Sequence, residues 1–511
     1  MHWLNLPEPR KNIVLAFQDV ASARAWLANQ PQAQALHMLA ALRTQIEAID
    51  SAGLAPALAV ELLNLLRRAA VPAQAAIEPR YFRKALPLPE DDERSFEAAQ
   101  QLWTRLGIAY MRLTPHFPPA EKGLPLNRAA CALRMAQYCH FQAARQSPAL
   151  LDHLLFGVLA QAASNKLLRE PLADPDFPHL GDSNIAGHLA WAFLLRLIDP
   201  YRLTATQLIV ANRAISRWRE LASFLVAPDS DPKARNVDLA PLYGGPLPEG
   251  VPCWLEVRSV IRKIRQRIES LAAGQSPESL KLGRELSASA CSRLLKELEA
   301  SLRSQQRETS TEIGELEIAF GGEHAYAVIK GEFLNPVGNL DASSASLAHQ
   351  RMALFGFDRV SQMPTAVKKL NVPGETWTMV DGMAVRAADQ EGARRLAPCL
   401  IASRVQGKPR LGVLFGLQMT AANALTAGLH WYDERVEAGY LKRLAPHDQR
   451  APKVPAFLLR ADDAISLILP ASAAARLEFG LALEGTSIEH LVPTEVLERG
   501  VDFVRYACRR A

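Results

Sequence analysis

Apolar residues between residue 12 and about 306 recur at intervals of three and four, the spacing that places them on one side of an α-helix. Beyond Thr311 they instead fall into short alternating or continuous runs cut by Gly, Pro and Asp. The first pattern predicts an all-α region and the second a set of strands. Breaks at Pro31, Gly53–Pro56, Pro72, Pro87–Pro89, Pro115–Pro119, Pro148, Pro171–Pro178, Pro200 and Gly274–Pro277 divide the helical part into about ten helices, mostly antiparallel because their joints are short. The acids Glu90, Asp91, Asp92 and Glu93 follow Pro87 and Pro89, where a helix start exposes its positive dipole end. Residues 227–253 hold many prolines and glycines and predict a long irregular loop. After it, Val257–Leu271 carries one apolar stripe with Arg258, Arg262 and Arg265 on its flank, a solvated helix face that can also meet an acidic partner or a phosphate.

In the second part, Leu316–Phe320, Ala325–Ile329, Trp377–Val380, Leu400–Val405, Leu411–Leu417, Leu429–Tyr432, Phe457–Leu459, Ile465–Leu469 and Phe503–Tyr506 predict strands, with a Gly321-Gly322 turn and a helical insertion around Ser344–Phe355. Short strands at such spacing close most easily into a small barrel, which leaves no open edge. The expected fold class is therefore α+β and multidomain. An all-α helical domain spans 1–308, a β-barrel domain spans 309–445, and 446–511 form a C-terminal β-rich extension or a second small barrel.

A chain of 511 residues, about half of them hydrophobic, has the size for two or three domains. Its 58 basic side chains barely exceed its 53 acidic ones, giving a net charge of +5. That balance exerts no global pull on a nucleic-acid polymer or an anionic membrane, so any basic recognition must be local. The first ten residues carry prolines and an acid in place of a secretory signal, and no apolar window reaches the ~18 residues of a membrane span, so a cytoplasmic protein is expected.

The six cysteines form no Cys-x-x-Cys pair and have no histidine partners at metal spacing, so they read as core hydrophobes and no metal is expected. No phosphate-binding glycine loop, dinucleotide fingerprint or nucleophile elbow is present, which argues for a non-enzymatic protein. The alternative is an enzyme with a site on the helical domain near Asp176, His179 and Asp182, where two acids and a histidine fall in one loop. Asp182 or Ser183 also stands where it would cap the next helix, and His153 and His188 lie in apolar helical runs that suit core histidines.

At the join of the two regions stand Arg303 and Arg307, four apart, followed by the alternating strand at Leu316 and, further on, Asp341-x-Ser343. Arginine forks bind phosphate oxygens or the O6/N7 edge of guanine bidentately, an aspartate accepts from guanine nitrogens, and a serine donates to phosphate. The same arginines also suit a helix C-terminus, where cations meet the negative dipole.

The order helix, Arg-x-x-x-Arg, strand, glycine turn, strand, Asp-x-Ser, followed by the strands at Leu411 and Ala427, resembles the PilZ domain, a bacterial receptor for cyclic di-GMP. The resemblance covers about residues 303–440. Ser346 stands in the motif's glycine slot, and a second candidate turn, Asp381-Gly-Met383, has methionine in the serine slot. The resemblance implies cyclic di-GMP as ligand, Arg303, Arg307, Asp341 and Ser343 as its contacts, and Asp381 as the alternative turn residue. The helical part is similar to uncharacterised bacterial proteins that carry such a C-terminal β-domain. Together these readings imply a bacterial regulatory or adaptor protein, its helical domain meeting a protein partner. Its barrel is expected to bind cyclic di-GMP or to be a degenerate PilZ module serving protein contacts.

Overall fold

The computed structural model describes residues 4–174, 183–304, 311–335, 371–388, 392–442, 453–461, 464–474, 481–484 and 489–510. The chain divides into a helical unit, residues 1–307 with 418–424, and a β unit, residues 308–417 with 425–511. The architecture is α+β and multidomain, a helical N-terminal region followed by barrel-forming strands.

The helical unit begins with α1 (Val20–Ala28), α2 (Ala35–Ser51), α3 (Pro56–Tyr81), α4 (Glu90–Leu113), α5 (Gly123–Gln142), α6 (Ala149–Ser164), α7 (Ile185–Leu197) and α8 (Ala205–Trp218). Local chemistry sets several starts. Asp19 and Ser22 form a capping box on α1, Thr204 and Gln207 form one on α8, and Asn184 accepts from the Gly187 backbone N–H at 2.7 Å to start α7. All four acids of Glu90–Glu93 sit in the first turn of α4.

Pro72 does not end a helix. It lies inside α3 together with Pro79. An interior proline costs about 3 kcal/mol, but α3 buries Leu62, Leu63, Leu66, Ala70, Ile77 and Tyr81, and each large side chain gains roughly 1.5–3 kcal/mol. Packing therefore overrides the local penalty.

The proline-rich stretch is also more ordered than its composition predicts. It contributes β2 (Asn236–Asp238) and the short α9 (Ala240–Tyr243), and β2 joins β1 (Ser223–Leu225) and β3 (Trp254–Glu256) in a three-stranded antiparallel sheet, order β1-β3-β2. Buried Val237, Leu255 and Val257 tie this segment to the helical core, so the region is not purely α. The amphipathic helices α10 (Arg258–Ala272) and α11 (Ala288–Arg303) close the unit, burying Val260, Ile261 and Ile264 on one and Leu294, Leu295, Leu298 and Leu302 on the other. Arg262 and Arg265 are exposed, as a solvated flank requires.

The β unit consists of β4 (Gly314–Phe320), α12 (Gly322–Lys330), β5 (Glu375–Val380), β6 (Met383–Ala387), β7 (Cys399–Val405), β8 (Lys408–Met419), β9 (Ala424–Trp431), β10 (Arg435–Lys442), β11 (Val454–Arg460), β12 (Ile465–Pro470), β13 (Leu481–Glu484), β14 (Glu489–Arg499) and β15 (Phe503–Arg510). Two six-stranded closed barrels result, in the orders β4-β5-β6-β9-β8-β7 and β10-β11-β12-β15-β14-β13.

The Ala325–Ile329 run, which reads as a strand, is helical and lies within α12. Gly321, at φ +81°, turns the chain out of β4, and the buried Ala325, Tyr326 and Val328 pack with Leu400 and Ala402 of β7, Leu411 and Val413 of β8, and Phe457, Leu459 and Ile468 of the second barrel. A five-residue apolar run fits a strand and a buried helix turn equally well, and only this wedge position separates the two. The predicted insertion at Ser344–Phe355 lies outside the described residues.

The same wedge explains the uninterrupted apolar runs in β7 and β11. Phe457 and Leu459 face the inter-barrel core while Ala456 and Leu458 fill the second barrel, so β11 is buried on both faces. Trp377, fully buried, belongs to the first barrel's β5 and is paired in register with Leu316 of β4.

Candidate functional site

Arg303 ends α11, and its Nε forms an ion pair with Glu299 Oε1 at 2.9 Å. The same carboxylate oxygen accepts from Arg265 Nε on α10 at 2.7 Å, so one nearly buried glutamate ties the two helices together and orients the last arginine of the helical unit. Arg303 keeps 43% of its side chain exposed, which leaves its remaining N–H groups open to a ligand. Arg307, Asp341 and Ser343 lie outside the described residues, as do Asp176, His179 and Asp182.

Asp381 belongs to the β unit, at the two-residue turn between β5 and β6, with Val380 and Met383 paired across it. Asp381 and Gly382 have φ of +50° and +76°. Such a turn needs two left-handed residues, which Asp-Gly supplies better than almost any other pair. Its presence has a sufficient backbone reason.

The β unit carries a cleft of about 620 Å³, within the ~300–1,000 Å³ usual for small-ligand sites. It opens where the two barrels meet, between the start of β8, the β9–β10 connection and the segment Thr311-Glu312 that follows the arginine lead-in in sequence. Lys408 is exposed at its mouth and has no ion-pair partner among the described residues. Arg410 lies 5.7 Å from the Trp431 ring centre and is shared between Glu312 Oε1 at 3.2 Å and Asp433 Oδ1 at 3.5 Å. Asp433 is 95% exposed, so its hold on Arg410 is weak and easily exchanged for another anion.

Deeper in the cleft the groups are fixed. Tyr432 donates from its hydroxyl to Glu498 Oε2 at 2.8 Å, and burial followed by the adjacent Glu498 pushes the phenol far up, so it remains a donor. Burial also raises the Glu498 carboxyl. Burial alone would raise Glu434 too, but its own backbone N–H and the Arg505 guanidinium outweigh that and hold it below the usual range.

The arrangement offers two accessible cations, Lys408 and Arg410, which suits an anionic ligand, while the Tyr432 proton is already given to Glu498. No group of three or more metal-ligating side chains converges among the described residues. All six cysteines are free thiols, and burial pushes Cys139 up to about 12 and Cys291 and Cys508 up to about 11, far from reactivity at neutral pH. His153 reaches the Tyr243 carbonyl at 2.9 Å, an ordinary structural contact.

Sequence reasoning missed Lys408, Arg410 and Glu312. The signal available was the Lys408-Pro-Arg410 pair directly after the Gln406-Gly407 turn, whose residues have φ of +50° and +77°. Nothing local shows that this hairpin faces a second barrel.

Among the described residues, no helix is long and apolar enough to cross a membrane. Residues 21–229, all within the helical unit, match the model of a family described as the cyclic-di-GMP receptor FimW, N-terminal domain. No curated protein and no solved structure matched the chain.

Proposed function

We propose that this chain is a non-enzymatic bacterial receptor for cyclic di-GMP, whose first barrel is a divergent PilZ module and whose helical unit engages a protein partner. The observation that carries the reading is the match of residues 21–229 to the N-terminal domain of a cyclic-di-GMP receptor, in a chain that continues into closed six-stranded barrels. The ligand contacts are Arg303 and Arg307 of the lead-in with Asp341 and Ser343, and Lys408 and Arg410 of the cleft supply further phosphate contacts. Asp341 is preferred to Asp381, whose turn geometry already accounts for it. With six free thiols, the protein belongs in a reducing compartment, the cytoplasm.

The chemistry is binding alone. A doubly charged dinucleotide takes arginine forks on its phosphates and guanine edges. It shifts the protein only as far as it binds one arrangement of lead-in and barrel better than another. Glu299 and Asp433 occupy Arg303 and Arg410 in its absence, so ligand phosphates replace two exposed ion pairs of small individual worth.

Isothermal titration of the full chain with cyclic di-GMP, with cyclic di-AMP and GTP as controls, tests the reading. Saturable binding of cyclic di-GMP alone is expected, lost in the Arg303→Ala/Arg307→Ala double variant while its Tm stays nearly unchanged. Absence of binding to wild type at any accessible concentration would overturn it.

A further inference from the structure

We infer that the interior of the helical unit holds a small inorganic anion, seated against Arg134 and His188 beside the Trp191 indole, as a resident part of its core. Arg134 of α5 is 3% exposed, yet no carboxylate reaches it among the described residues. Its guanidinium stacks 3.7 Å from the Trp191 ring centre, its Nη2 meets the weakly accepting Met135 Sδ at 2.9 Å, the Cys131 thiol is a second weak sulfur acceptor beside it, and its Nε has no partner. Six residues earlier on the same helix, Arg128 is also buried and touches Asp174 Oδ2 at 2.6 Å, a carboxylate that also binds Arg67, and the Arg128 Nε is unpartnered.

His188 of α7 is fully buried with neither ring nitrogen hydrogen-bonded. Burial first, then the charges of Arg134, Arg219, Arg67 and Arg128, keep its imidazole neutral. Three residues on along α7, on the same face as His188, lies the Trp191 indole on which Arg134 stacks. Arg219 shares the same indole at 5.5 Å, with Ser183 and Glu220 beside it.

The unmet groups decide the chemistry of the occupant. Guanidinium N–H groups only donate, and a neutral imidazole adds one more donor. A donor-rich, cationic lining repels metal ions. Water can accept the hydrogen bonds but leaves the buried charge of Arg134 uncompensated, and a buried guanidinium without a counter-charge is strongly disfavoured. An anion meets both demands. It need not pass in and out, because a group this buried can be enclosed as the helices pack. The inference does not depend on the lead-in arginines or on cyclic di-GMP.

The test uses the full chain, exhaustively exchanged into a gluconate buffer and compared at matched ionic strength with phosphate, sulfate and chloride. Wild type is expected either to retain one equivalent of anion, released on acid denaturation and identified by ion chromatography, or to show a saturable rise in Tm with one of the three. Arg134→Met, which keeps the stem's volume and removes the charge, is expected to lose both the retained anion and the anion-dependent rise. The inference is overturned if wild type releases no anion and shows no saturable shift, which would leave water in the site. It is equally overturned if Arg134→Met responds as wild type does. Should Arg134→Met fail to fold, the wild-type release measurement and a His188→Gln variant, expected to weaken retention, decide the question alone.

Discussion

The helical core and the cores in and beside the second barrel are built in opposite ways, while the first barrel buries one ion pair, Glu375–Arg386. The second barrel is filled by Ala456, Leu458, Leu467, Leu469, Leu483, Leu491 and Val504, and the inter-barrel core is apolar as well. A six-stranded barrel has room inside for little else. In the helical unit, by contrast, α5 buries Asn127, Arg128, Arg134, Gln137 and His140 along with its alanines and leucines, and the neighbouring elements add Arg67, Asp174, His188 and Arg219. Such polar interiors make stability depend on pH and on bound ions, whereas the dry cores depend on shape and volume.

The sharpest break in that comparison is acid. His140 is buried against Phe96, and burial, then the neighbouring Arg145 charge, lowers its pKa from 6.5 to about 3. Between those two values the unfolded chain binds the proton and the native chain does not, so native stability falls as pH drops from 6.5 towards 3. The lost stability is on the order of 5 kcal/mol at the bottom of that range. Helical circular dichroism is expected to collapse in this window before the backbone amides of the barrel strands lose their protection from hydrogen exchange, and His140→Leu is expected to move the helical transition to lower pH. Coincident loss of both signals in wild type and variant would remove the distinction.

Volume should matter most in the β unit. Phe457→Ala empties the core shared by α12 and both barrels and is expected to cost about 3–5 kcal/mol. The two barrels are expected to unfold in a single transition at lower denaturant. A variant whose barrels melt separately would show that they are not energetically joined.

The opposite sign is expected at Asp152, buried in the first turn of α6 with its Oδ1 unpartnered. Burial pushes this carboxyl from 3.8 up to about 6, against smaller opposing effects of Arg196 and His153. Here the native state holds the proton more tightly, so stability falls as pH rises from 3.8 through 6 and stays reduced above it. Asp152→Asn should therefore raise Tm at pH 7 to 8, by up to about 3 kcal/mol of stability, and have no such benefit below pH ~4. A smaller effect is expected at the entry to α1, where Asp19→Ala removes the capping box at a cost of about 1 kcal/mol, read as a modest fall in the helical unit's denaturation midpoint.

Much of this contrast was open to sequence reasoning in outline and closed to it in detail. The alternation Leu316-Glu-Ile318-Ala-Phe320 marks β4 because period two is local. The uninterrupted runs of β7 and β11 betray burial but not the second barrel that causes it. Arg128 and Arg134 sit among alanines on a helix, in a pattern indistinguishable from an exposed basic face, and their burial follows only from α5 lying inside the bundle. For the candidate site, Arg303 and its helix end were legible, while the cleft cations Lys408 and Arg410 come from a hairpin that gains its partner surface only when β10 folds beside it.

By itself the sequence determined the division into helical and strand-rich regions, the capped helix starts and the Asp381-Gly382 turn, because each depends on backbone preferences and periodicities within a few residues. Tertiary structure alone decided that Pro72 stays inside a helix, that Ala325–Ile329 is helix rather than strand, and that a cluster of guanidiniums is shut away from water. In each of these the local preference is worth no more than a few kcal/mol, and the burial of large apolar side chains on distant elements outweighs it.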